Sequence, residues 1–147
     1  MDALLTAKDF PRWTRSVLGL PLEASIDEEI DRHIIWAEDH VRGIIGDAAF
    51  DALAEDGEQN AKRRTRFQSA VHALVESRLH NLHAETLGRQ TGTSTQGRRT
   101  RTVTGAATSS ARSASTRSYR DYVEAMFRLG YTVRPEATGV HYTRVSA

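Results

Sequence analysis

Four side chains that could bind a metal or move a proton sit at helical spacing in one stretch. His72, Glu76, His80 and His83 fall at i, i+4, i+8 and i+11, close to one helix face. Zinc and iron sites use histidine and carboxylate, but helix-borne ligands come in pairs at fixed spacings. His-Glu-x-x-His is absent, and Leu79 sits where Glu-x-x-His would need a histidine after Glu76. One straight helix cannot wrap four such ligands around a tetrahedral ion. The pattern therefore predicts a polar helix face or a contact with a neighbour, with no metal and no cofactor.

Other chemistry is poorly supplied. The chain has no cysteine, no Gly-x-Ser-x-Gly and no glycine-rich phosphate loop. The carboxylate pairs Glu28/Glu29 and Glu38/Asp39 read as solvated faces. An enzyme is not expected.

Charge placement says more. The net charge of +1 hides a split: residues 1–87 carry ten Lys or Arg against sixteen acids, while residues 88–118 carry six arginines and no acid. Residues 38–58 hold seven acids and one arginine, and Lys62, Arg63, Arg64 and Arg66 follow directly. The ordinary reading is an exposed face with i,i+4 pairs such as Glu58–Lys62. The sharper one is a head-to-tail interface, in which Asp47, Asp51 and Glu55 of one subunit meet Lys62, Arg63, Arg64 and Arg66 of the next.

These residues need elements to hold them, and the periodicity predicts a mainly α chain, a small antiparallel bundle of about four helices. Thr6 can cap a short helix from Ala7. Ser25 and Glu28 have capping-box spacing, and Ile26, Ile30, Ile34, Ala37, Val41, Ile44 and Ile45 predict a helix over 26–45 ended by Gly46. Asp47 is expected to cap a short second helix that breaks at Asp56-Gly57. A third is expected from Glu58 to Leu87, stopped by Gly88, and a fourth from about Ser118 to Gly130. The tail, with Tyr131, Val133, Val140 and Tyr142 at alternating positions, predicts a short β-hairpin.

Between the last two helices, residues 88–118 contain eighteen Gly, Ser or Thr and one large aliphatic side chain, Val103. So little apolar area predicts an extended basic arm that takes its shape from other molecules. Arg99 to Thr104 alternates with β-formers and could add to a sheet edge. The expected organisation is a helical body over 1–87 with 119–130 packed on it, the arm over 88–118, and a tail over 131–147. Arg98, Arg99, Arg101, Arg112 and Arg117 are the candidate contacts to DNA or a partner. No secretion signal and no membrane span are expected.

The order of these pieces resembles the head–tail connector (adaptor) proteins of tailed bacteriophages. It rests on Leu5-Thr-Ala-Lys-Asp-Phe, Leu18-Gly-Leu-Pro-Leu, Asp27-Glu-Glu-Ile-Asp-x-x-Ile running into Ala37-Glu-Asp-His-Val and Gly46, and Tyr119-Arg-Asp-Tyr-Val-Glu-Ala-Met-Phe-Arg-Leu-Gly-Tyr. The resemblance covers most of residues 4–131 in spacing and hydrophobic pattern. It implies a homo-oligomeric ring, commonly of twelve subunits, docked beneath the portal protein of the virion and made in the host cytoplasm. Such a ring extends the channel for double-stranded DNA toward a tail or stopper protein. It also implies that the loop and the tail order on assembly, with Tyr131, Val133, Val140 and Tyr142 as candidate portal-docking positions. The alternative is a small DNA-binding accessory protein that uses the basic segment on phosphate without sequence preference.

Overall fold

A computed structural model of the chain describes residues 4–93, 98–133 and 142–144, and the side chains among these apart from those of 90–104 and 142–144. A single 3-10 turn (Ala7–Asp9) precedes four helices: α1 (Ile26–Ile45), α2 (Asp47–Ala52), α3 (Glu58–Thr93) and α4 (Arg98–Leu129). Strand β1 (Tyr131–Val133) follows and pairs antiparallel with β2 (Tyr142–Arg144), Thr132 opposite Thr143. The protein is mainly α, a small helical bundle.

Its organising element is α3. At 36 residues it is about 54 Å long. From Ala73 to Ser77 every residue is buried, Glu76 included, because neighbours cover the helix on several sides. α1 packs Ile30, Ile34, Ala37, Val41, Ile44 and Ile45 into the core shared with α3. The N-terminal segment adds Phe10, Trp13 and Leu18 to it. α4 runs antiparallel to α3: Ser77 meets Ser115, and the Arg66 guanidinium donates to the Arg128 carbonyl at 3.3 Å.

Local signals account for most boundaries. The Ser25 hydroxyl accepts from the Glu28 N–H at 3.4 Å. Gly46, at φ +89°, ends α1 with its N–H on the Arg42 carbonyl at 2.8 Å. Gly130, at φ +101°, ends α4. Gly46, not Asp47, is the N-cap of α2, and the Asp47 carboxylate instead accepts from Arg42 Nε at 2.8 Å.

The largest departure from expectation is the basic segment. The described residues of 88–118 form no extended arm: α3 continues through Gly88 to Thr93, and α4 begins at Arg98 with no break at Ser118. The alternating stretch Arg99–Thr104 lies within α4, so it is not a strand. The reason is that the anchor need not be large. Ala111 and Ser115 are 6% and 5% exposed against α3, and small residues let two helix backbones approach closely. Ser and Thr hydroxyls are absorbed locally too, as where Thr116 Oγ1 donates to the Arg112 carbonyl at 3.1 Å.

The tail also differs in role. Tyr131 and Val133 are 8% and 1% exposed, and the Tyr131 hydroxyl donates to the Ile45 carbonyl at 3.2 Å. Both side chains belong to the core and are not available for docking on a portal. Val140 and the Tyr142 side chain lie outside the described residues.

Candidate functional site

The histidine-bearing face of α3 is covered by the chain's own N-terminal segment. Phe10 stacks on His72 with ring centroids 4.5 Å apart, and Trp13 meets His80 edge-on at 4.8 Å and His83 at 6.3 Å. At the centre lies Glu76, whose side chain is 8% exposed. One carboxylate oxygen accepts from Arg12 at 2.5 Å and lies 3.4 Å from His80 Nε2; the other accepts from Trp13 Nε1 at 3.4 Å. A carboxylate taken out of water needs this density of donors. Burial lowers the His80 pKa below its usual 6.5; the nearby Glu76 acts against that shift, while Arg12, His83 and Arg117 add to it.

The arrangement holds the N-terminal segment on α3. Among the described residues no three His, Asp or Glu side chains are placed to share a metal ion. Beside the cluster an open groove of about 530 Å³ runs between the N-terminal segment and α4, lined by Asp9, Arg12, His72, Glu76, Ser118 and Asp121 among others. Sequence reading found the four α3 residues but missed their partners. The one available signal was the density of Phe10, Arg12 and Trp13 just ahead of the first long helix.

A second cluster joins α1 to α3. The Arg78 guanidinium lies over the Trp36 ring, 3.8 Å from its centroid, and His40 stacks on the same indole at 5.2 Å. His33 Nε2 is 3.3 Å from Glu29 Oε1. Burial first, and Arg78 second, lower the pKa of both His33 and His40, so the neutral imidazoles are favoured in the folded chain. Burial likewise lowers the Arg78 pKa.

The acidic helix and the basic turn proposed as an intersubunit contact lie side by side within one chain. The Arg64 guanidinium donates to the Leu53 and Glu55 carbonyls at 2.7 and 3.1 Å, finishing α2. Lys62 pairs with Glu58 at 3.1 Å, Arg66 caps α4, and Arg63 is half-buried. Asp47, Asp51 and Glu55 are exposed. Three of the four basic side chains thus have work inside the subunit.

Of the candidate arginines, Arg112 and Arg117 are exposed on α4. Arg98, Arg99 and Arg101 fall in the first turn of α4, at the end of the α3–α4 hairpin that also carries exposed Arg89. From Glu85 to Asp121 the hairpin holds seven arginines and no intervening acid. No helix among the described residues is long and apolar enough to cross a membrane.

Comparison of the chain with family models, with curated proteins and with solved structures finds no match.

Proposed function

We propose that this chain is a structural virion protein, a ring-forming head–tail adaptor that docks on the portal and extends the DNA channel toward the tail. The observation that carries the reading is a helical hairpin with an acid-free, arginine-bearing end, mounted on an acidic body. The order of its helices, which resembles that family, supports the same reading. Arginines without a base-reading motif suit phosphate contacts independent of sequence, as a channel for passing duplex requires. α3 and α4 supply a rigid wall, and unlike charges on one chain suit head-to-tail contacts between copies in a closed ring of about twelve. The task is mechanical and electrostatic, with no turnover, metal or cofactor. Negative-stain images of the protein alone and mixed with portal-bearing heads test it. Rings or an added collar are expected; particles without a collar beside a monomeric protein refute it.

The same run of seven arginines favours one other reading, a DNA-binding accessory protein. That protein would bind free duplex with an affinity falling steeply as salt rises, roughly in proportion to the phosphates neutralised. An adaptor binds heads and leaves short free duplex unbound at physiological salt.

A further inference from the structure

α1 and α4 both pack on α3 and turn their other faces outward. Those faces carry opposite charge. α1 holds six acids against two arginines, and both arginines are paired, Arg32 with Glu29 and Arg42 with Asp47. On α4, residues 112–128 hold four arginines against two acids, Asp121 and Glu124, the latter paired with Arg128 at 2.7 Å. The outward stripe runs through Ser113, Thr116, Arg120, Glu124 and Phe127.

Each face also exposes one large apolar side chain. On α1 it is Ile35, 61% exposed, with the edge of Trp36 beside it and Asp39 one turn on. On α4 it is Phe127, 68% exposed, two turns after Arg120. Neither element lacks a buried face of its own, so these side chains are surplus to the fold. An apolar residue on an acid-rich face and another on a face with an excess of arginine make two unlike, complementary surfaces on one chain.

We propose that the outer face of α1 on one copy binds the outer face of α4 on the next, Ile35 against Phe127 and Asp39 beside Arg120. The partner is a second copy of this chain. Because the two surfaces differ, the contact is heterologous and repeats from copy to copy until it closes. The small residues Ser113 and Thr116 allow the helices to approach closely. With one apolar side chain from each face, the contact is weak between two copies and gains from repetition. The inference deepens the ring reading, on which it rests for closure, and it replaces the α2–α3 contact that the sequence suggested.

Sedimentation of the full chain tests it without portal or DNA, so its failure is distinct from failure to dock on heads. The wild-type chain is expected to associate with rising concentration at low salt and to dissociate at high salt. Asp39→Lys alone and Arg120→Glu alone each place like charges in every contact, weakening association about tenfold or more. An equimolar mixture of the two variants restores opposite charges at both kinds of contact in an alternating array, and recovers association. Both positions are exposed, and circular dichroism checks that each variant is folded. A wild-type chain that stays monomeric at low salt, single variants that associate like wild type, or a mixture that fails to recover each overturns the proposal.

Discussion

Ser77 and Ser115 bond each other's backbones across the α3–α4 interface. The Ser77 hydroxyl donates to the Ser115 carbonyl at 3.1 Å, and the Ser115 hydroxyl donates to the Ser77 carbonyl at 2.9 Å. Both residues are buried, and their hydroxyl oxygens are 3.2 Å apart. Such mutual bonding requires the helix backbones to lie close, which a larger side chain at either position would prevent. Ser115→Val is therefore expected to destabilise by about 1–3 kcal/mol, combining overpacking with the loss of a buried hydrogen bond. Ser115→Ala removes only the bond and should cost about 1 kcal/mol. Urea unfolding of the two variants measures the difference; equal small losses would mean that the helices are not in close contact here.

Glu76 holds the N-terminal segment on α3, and its replacement should release that segment before it unfolds the bundle. Glu76→Ala leaves the Trp13 indole N–H without its acceptor and frees Arg12 from its pair. A cost of about 1–3 kcal/mol is expected, with a red shift in tryptophan emission as Trp13 meets water. Arg12→Ala should cost a comparable amount, about 1–3 kcal/mol, because its guanidinium is 64% exposed but the Glu76 carboxylate it leaves behind is only 8% exposed and loses its charged partner. Emission spectra and tryptic cleavage after Arg15, a site both variants keep, read the release of the segment.

The elements that carried large aliphatic residues at helical spacing were legible in the sequence. Ser25 and Gly46 mark the ends of α1, and Ile30, Ile34, Val41 and Ile45 its buried face, as the spacing predicts. Gly130 ends α4 in the same way. What failed was the measure of anchoring for residues 88–118. Counting large apolar side chains found only Val103, whereas Ala111 and Ser115 pack because they are small. α3 misled differently: a central helix is buried on several sides, so its apolar residues do not mark a single face, and the burial of Glu76 had no periodic signal, whereas Leu79 continues the i+4 line of Phe67, Val71 and Val75. The histidine line was visible, but its partners come from residues more than sixty positions earlier.

Three histidines make stability fall on the acid side of neutrality. The pKa values of His33, His40 and His80 are lowered in the folded chain, mainly by burial. Unfolded, they titrate near 6.5 and bind more protons than the folded chain does. Stability from these groups is thus fully present above about pH 6.5, and is lost as the pH falls through that value toward the folded pKa values. Glu38 acts with the opposite sign at lower pH, because burial and Asp39 raise its pKa. Urea midpoints taken across this range should drop with acid, and His40→Gln should flatten the curve. A midpoint that rises as the pH falls through 6.5 would contradict the assignment.

Glycine substitutions decide between a helix and an arm over residues 88–118. Gly88 lies within α3 and Gly105 within α4, neither in the left-handed region, and a Cβ built on either meets nothing within 4 Å. In a helix interior, alanine at such a site stabilises by about 0.5–1 kcal/mol, since glycine loses more backbone freedom on folding. Gly88→Ala and Gly105→Ala should each raise the unfolding midpoint and the helical signal. Gly19 provides the contrast: at φ +65° a Cβ there would stand 2.9 Å from Thr86 Cγ2, so Gly19→Ala should destabilise. In an extended arm Gly88→Ala and Gly105→Ala would leave stability unchanged, because nothing packed or hydrogen-bonded would depend on either position.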